Sequence, residues 1–172
     1  MSSKNKKGFY TGRFQPFHLG HLSAVKQALK EVWFLYIGIG SAQYSHEEEN
    51  PLSVEERIEI IKKALEEKGI SKERFKIIPI PDIHDNDAWP AHVQNLVPSF
   101  DIVFVGDNGL VKELFEKHTK IPIKIVKKEL NICATDIRKA IINNENWKKH
   151  LCDSTVEYLE KINVVDRIKN IV

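Results

Sequence analysis

The chain has 172 residues, of which 42% are hydrophobic and 29% charged, with a formal net charge of +2. This length suits one domain with a real core, and the composition excludes the disordered and membrane-spanning classes. So small a net charge gives no argument for nucleic acid, and any phosphate affinity has to come from locally placed groups.

The opening MSSKNKKG is basic but leads into no apolar stretch of signal-peptide length. A first strand is predicted over residues 8–11. After the loop GRFQPFHLGH, a helix from about residue 20 places Leu22, Val25, Ala28, Leu29 and Val32 on one face. WFLYIGIG is a continuous apolar run, as a strand buried on both faces requires. SVEERIEIIKKALEEKG is the clearest helix: Ser53 and Glu56 have capping-box spacing, and Gly69 stands where a C-terminal cap belongs.

FKIIPIPDI predicts a third strand whose pairing Pro79 and Pro81 limit, and a short helix is expected over residues 91–96. DIVFVGD gives a fourth strand, GLVKELFEKH a helix and IPIKIVK a fifth strand. Three helical patterns close the chain: one from about residue 135, one near Trp147 and one over residues 154–162. Trp33 and Trp147 are expected to be packing residues. Cys133 and Cys152 lack CxxC spacing, which argues against a disulfide scaffold or zinc knuckle and for a reducing, cytoplasmic setting. No segment approaches the roughly 20 apolar residues needed to cross a bilayer, so neither membrane nor nucleic acid is an expected partner.

Strand–helix alternation predicts an α/β fold: a doubly wound, Rossmann-like five-stranded parallel sheet with helices on both faces and a C-terminal helical segment. The whole chain, 1–172, is expected to be a single domain, with a core over about 8–145 and C-terminal helices over about 146–172. Ligands in such sheets sit beyond the carboxyl ends of the strands. The loops TGRFQPFHLGH, GSAQYSH, PDIHDNDAW and GDNG all fall on that edge.

No GxxxxGK[ST] occurs, and Gly38-Ile39-Gly40 lacks the third glycine and following helix of a dinucleotide fingerprint. His18 and His21 share one face of a helical first turn. They suit three readings: metal ligands completed by the acidic loop DIHDND, donors to a phosphate at a helix N-terminus, or a polar turn. Arg13 ahead of the pair, Pro16 setting the approach and Gly20 admitting close contact favour phosphate. Glu47, Glu48 and Glu49 read as a solvated acidic loop without a catalytic role, and Lys62 and Lys63 as a solvent face.

GRFQPFHLGH resembles the [HT]xGH element of the nucleotidyltransferase superfamily, and CATDIR resembles its second element, with Thr135 and Arg138 in the matching positions. Cys133 and Ala134 depart from that element, standing where small hydroxyl or glycine residues are usual. IGSAQYSH, NPLSVEER and the tryptophan of NDAW extend the resemblance to the archaeal-type nicotinamide-nucleotide adenylyltransferases over nearly the whole chain. The resemblance implies catalytic roles for His18, His21, Arg13 and Arg138. An ATP side would comprise Gly12, Arg13, Phe14, His18, Gly20, His21, Gly106, Asp107, Thr135 and Arg138. A mononucleotide side would comprise Thr11, Gly12, Ser41, Gln43, Asn86 and Trp89, with Trp89 stacking on the pyridinium ring.

The implied reaction joins ATP to nicotinamide mononucleotide, giving NAD and pyrophosphate by direct in-line attack. Mg²⁺ would enter bound to ATP rather than in a protein metal site, and the resemblance implies a homo-oligomer, often a hexamer. Other phosphate acceptors (nicotinic acid mononucleotide, FMN) and a non-catalytic nucleotide sensor are the competing expectations.

Overall fold

A computed structural model describes residues 5–106 and 109–172. Five strands, β1 (Lys7–Gly12), β2 (Phe34–Ile39), β3 (Phe75–Pro79), β4 (Ile102–Val105) and β5 (Ile123–Ile125), form one sheet in the order β3-β2-β1-β4-β5. Every pairing is parallel. The helices are α1 (Leu19–Glu31), α2 (Val54–Glu67), α3 (Trp89–Leu96), α4 (Leu110–His118), α5 (Ala134–Ile142), α6 (Asp153–Lys161) and α7 (Val164–Ile171). The chain winds outward from β1 to β3 and then restarts on the other side of β1 with β4. This reversal opens a crevice at the carboxyl ends of β1 and β4, the place where doubly wound sheets bind ligands.

Alternation along the strands divides the core between the two faces. Tyr10, Leu35, Ile37 and Phe104 pack with Val25, Ile60, Ile61, Ile137, Leu159 and Ile168, beneath α1, α2 and the C-terminal helices. Phe9, Tyr36, Val103 and Val105 face the other way, onto Val93 of α3 and Phe115 of α4. Gly38 allows the second layer to close, since a Cβ there would lie 2.6 Å from Ile80 Cδ1 and 2.8 Å from Phe9 Cε2.

Helix α2 takes the form its sequence predicts. The Ser53 hydroxyl accepts from Glu56 N at 3.3 Å, while Ser53 N donates to the Glu56 carboxylate at 2.9 Å. At the far end Gly69, with φ of +72°, donates to Glu66 O, and Ile70 N reaches Leu65 O. Those two bonds are the paired closure of a Schellman cap.

Four expectations change. Helix α3 begins at Trp89 rather than residue 91, because Pro90 occupies the first turn, where its missing N–H costs nothing. The pattern near Trp147 gives only a 3-10 turn, Lys148–His150. Trp33 is 52% exposed and lies under the Arg74 guanidinium, 4.9 Å from the ring centroid, so it is no core residue; Trp147 is buried. A further helix, α7, follows α6 after a single left-handed residue, Asn163, at φ 52°. Its Val164 and Ile168 belong to the main core. Among the described residues no helix is long and apolar enough to cross a membrane.

Candidate active site

The β1–α1 loop leaves the sheet at its switch point, and its conformation is set by aromatic packing. Phe14 is buried in the left-handed region, at φ 55°, an unfavourable conformation for a bulky residue. Its ring packs against Tyr10, Phe17 and His21, at centroid distances of 6.0, 5.6 and 4.9 Å. Gln15 is buried, and its side-chain amide forms two bonds to the Leu52 backbone, at 3.0 and 2.9 Å. Through Gln15 this loop is fastened to the segment that enters α2.

His18 is the N-cap of α1. Its Nδ1 accepts from Gly20 N at 3.1 Å and His21 N at 3.3 Å, while His21 Nδ1 accepts from His18 N at 3.3 Å. The two imidazoles thus form a reciprocal capping box usually built from a hydroxyl and a carboxamide or carboxylate. Gly20 is needed because a Cβ there would lie 2.9 Å from His18 Cε1. This alters the sequence expectation that α1 offers bare backbone N–H groups to an anion. The Gly20 and His21 amides are already engaged, and with both Nδ1 atoms accepting, the ring protons sit on Nε2 as outward donors. Burial lowers the His18 pKa to about 4, with His150 and Lys128 adding to the effect. Burial, and then His18 itself, pushes His21 well below the usual imidazole range.

Helix α5 brings the second motif to the same place. Arg138 is buried, donates to Gln15 O at 2.9 Å and lies 3.4 Å from the Thr135 hydroxyl. Its pKa is lowered, first by burial and then by Arg13. Cys133, the N-cap of α5, is exposed and makes no side-chain cap bond. Of the predicted ATP-side residues, Arg13, Phe14, His18, Gly20, His21, Gly106, Thr135 and Arg138 line one cleft of about 620 Å³, to which Lys127 and Lys128 add charge. Gly12 lies instead in a neighbouring cleft, and Asp107 falls outside the described residues.

That neighbouring cleft, of about 430 Å³, is lined by Thr11, Gly12, Ser41, Asn86 and Trp89 among others. Thr11 donates to Gly38 O at 2.9 Å, and the Ser41 hydroxyl donates to the Asp82 carboxylate at 2.8 Å. Trp89 packs edge-on against Phe115, with centroids 6.1 Å apart. Gln43 does not line this cleft: its side chain forms two hydrogen bonds to the Asp82 backbone, at 3.0 and 2.9 Å, and so holds the loop after β3. Arg13 borders both clefts.

Sequence reading passed over three contributors. Glu49 lies on the acidic loop read as merely solvated, yet it pairs with Arg13 at 3.0 Å. Together with Glu47 and Glu48 it lines an extension of the cationic cleft beside Arg138 and Lys139. Helix α7 closes that extension with Ile168 and Ile171, and the i, i+4, i+7 spacing of Val164, Ile168 and Ile171 was the available signal.

Arg57 is the third. Its side chain is fully buried on the apolar stripe of α2 and touches five backbone carbonyls. Burial lowers its pKa to about 10. An arginine in register with Ile60, Ile61 and Ala64 was the sequence signal.

As for metals, no group of three His, Cys, Asp or Glu side chains among the described residues converges to hold one. His84 and Asp85 of DIHDND line the Trp89 cleft, whereas His18 and His21 line the other.

Residues 9–150 match the model of the cytidylyltransferase-like family. The chain is 42% identical over 164 residues to the nicotinamide-nucleotide adenylyltransferase of Thermococcus sibiricus, covering 95% of this chain and 88% of that protein. It is 39% identical over 172 residues to the nicotinamide-nucleotide adenylyltransferase of Thermoplasma volcanium, covering 99% and 95%. The fold is similar to that of a bifunctional NMN adenylyltransferase/ADP ribose pyrophosphatase from Francisella tularensis, with a TM-score of 0.82 at 23% identity. This chain spans 52% of that bifunctional protein, which has also been solved complexed with AMP and a manganese ion.

Proposed function

The chain belongs to the cytidylyltransferase-like family, and from that premise we infer that it transfers the adenylyl group of ATP to nicotinamide mononucleotide, giving NAD and pyrophosphate. The observation that carries this reading is the position of Arg13, at the junction of a cationic cleft and a cleft with an aromatic wall. A reaction that joins two nucleotides through their phosphates needs a cationic group between them.

The mononucleotide 5′-phosphate attacks the α-phosphorus of ATP in line, and pyrophosphate leaves. A phosphate monoester is nucleophilic at neutral pH without a general base. The protein therefore contributes positioning and stabilisation of charge on the transferring group. His18 and His21 donate from Nε2, and burial favours the neutral form of both, so the donors need no prior titration. Arg138 is fixed by Gln15 O on one side and Thr135 on the other, while Arg13 closes over the phosphates from the β1–α1 loop. Guanidinium groups suit that bidentate task. Trp89 and Asn86 receive the nicotinamide ring and its carboxamide.

The cationic cleft is lined by imidazole N–H, guanidinium, ammonium and hydroxyl groups and by one carboxylate, Glu129, which accepts from the Ser23 hydroxyl, a set that favours anions over cations. The divalent ion, which we take to be Mg²⁺, would accordingly enter with the ATP substrate rather than in a protein site, and would offset charge on the leaving pyrophosphate. Two free thiols, one exposed and one buried, support a cytosolic setting. Homo-oligomeric assembly is part of the same proposal, and light scattering measures it.

The reading is tested by incubating the enzyme with ATP, Mg²⁺ and, separately, nicotinamide mononucleotide, nicotinic acid mononucleotide or FMN. Products are resolved by chromatography and pyrophosphate is quantified. NAD with stoichiometric pyrophosphate is expected. FAD alone would reassign the acceptor, and nucleotide binding without pyrophosphate would make the protein a sensor.

A further inference from the structure

Parallel neighbours β1 and β2 stay in register up to Gly12 and Ile39, after which a single bond, Gly40 N to Gly12 O at 3.0 Å, continues the ladder. Beyond it the two loops diverge. The β1–α1 loop carries Arg13, His18 and His21 to the cationic cleft, and the β2–α2 loop carries Ser41 to the cleft with the Trp89 wall. The sheet no longer fixes their spacing there.

Arg57 spans the gap. Its Nη1 donates to Arg13 O at 3.0 Å and Gly40 O at 2.9 Å, and its Nη2 to Ser41 O at 3.1 Å and Tyr44 O at 3.4 Å. Nε donates to Ser53 O at 3.2 Å, so each of the five donors of the guanidinium has a carbonyl. Among the described residues no carboxylate forms an ion pair with it. A charge buried to 0% exposure, hydrogen-bonded only to backbone carbonyls and influenced by Glu55 and Asp82 only at longer range, costs desolvation. A methionine or leucine would fill the α2 stripe without that cost. What only the planar fork achieves is to hold carbonyls of both loops at one fixed separation.

We propose that Arg57 is a positioning residue that sets the spacing of the two substrate clefts by tying the Arg13 carbonyl to those of Gly40, Ser41 and Tyr44. The proposal rests on the adenylyl-transfer reading, in which the attacking phosphate and the α-phosphorus must approach to about 3–3.5 Å, and a 1 Å error costs about 10²-fold in rate. Arg57 touches neither substrate. Its loss leaves each cleft with its own contacts but releases the distance between them.

The test compares wild type with Arg57→Lys, which keeps the charge but has three donors from one point in place of a planar five-donor fork. Calorimetric Kd values are measured for ATP, nicotinamide mononucleotide and NAD, together with kcat. For the variant, Kd for each substrate should change less than about 3-fold. Kd for NAD, whose covalent pyrophosphate demands both clefts at one spacing, should weaken at least about 10-fold, and kcat should fall about 10²-fold. Equal changes in all three Kd values, or a loss of active fraction with every Kd unchanged, would overturn the proposal and leave Arg57 purely structural. Wild type failing to bind the mononucleotide or NAD would instead sink the adenylyl-transfer reading.

Should Arg57→Lys not fold, amide hydrogen exchange on wild type decides. ATP alone should slow exchange over residues 40–44 as well as 12–15. Protection confined to 12–15 would show that the loops are not coupled.

Discussion

The imidazoles of His18 and His21 lie face to face, with ring centroids 3.7 Å apart, and each Nδ1 accepts the backbone N–H of the other residue. Two cations could not stack so closely in a buried site, and burial accordingly favours the neutral ring in both. The arrangement stores a pH dependence. The folded-state pKa of His18 lies below its unfolded value, so the unfolded chain binds the extra proton. Stability is then full above about pH 6.5 and lost as pH falls toward 4. Denaturant titrations at pH 7 and pH 5 should show a loss of about 2 kcal/mol from His18 alone. His18→Asn keeps an N-cap acceptor without the titration and should lose correspondingly less over the same interval. Identical pH dependence in the two proteins would place the acid sensitivity elsewhere.

His21 is a capping acceptor, and the proposed mechanism also makes it a donor to the reacting phosphates. His21→Ala should lower kcat by about 10²-fold, the usual cost of one lost transition-state donor. The effect on melting should be modest, because His18 Nδ1 still caps the Gly20 amide. Steady-state kinetics beside a thermal melt checks this, and unchanged turnover would remove His21 from the mechanism.

What the sequence disclosed and what it withheld divide along physical lines. The strands, the α2 caps and the placing of the His18–His21 loop at the carboxyl edge follow from periodicity, capping spacing and the chirality of crossovers, local rules that act along the chain. Thr135 and Arg138 were legible only through the resemblance of CATDIR to a family motif. Gln43 is a different case: its position at the end of β2 was legible, but its partner, the Asp82 backbone 39 residues away, was not. Glu49 looked like solvent-facing charge because its pairing with Arg13 depends on how two loops fold back on each other. Helix α7 was missed at Asn163, whose polar side chain reads as a terminus although a single left-handed residue only turns the chain into another helix.

The Arg13–Glu49 pair is solvent-exposed, with side chains 46% and 74% accessible, so it contributes little to stability. Its consequence is for substrate. In the proposed mechanism ATP takes Arg13 from Glu49 and sits beside an acidic loop. Glu49→Gln should therefore lower KM for ATP about 2–5-fold, the range an exposed pair supports. The difference between variant and wild type should shrink in 0.5 M salt, since screening at that ionic strength acts over only a few ångströms. A raised KM would mean that Glu49 helps to hold Arg13 in its productive place.

Trp89 separates the two clefts most sharply. It lines the cleft that the proposed function assigns to the mononucleotide, is absent from the cationic one and is braced by Phe115 behind it, which presets the indole. The nicotinamide ring of the mononucleotide carries a positive charge, so a stacked indole adds a cation–π attraction of about 1–2 kcal/mol to the area it buries. Trp89→Ala should thus raise KM for the mononucleotide about 10-fold or more, while KM for ATP stays within about 2-fold. Trp89→Phe, a smaller and weaker π surface, should fall between. Repeating the series with the reduced mononucleotide, whose dihydropyridine ring is uncharged, isolates the charge contribution. The penalty for Trp89→Ala should drop when the ring loses its charge. A penalty independent of ring charge would make Trp89 a packing wall, and equal effects on both substrates would return it to the α3–α4 core.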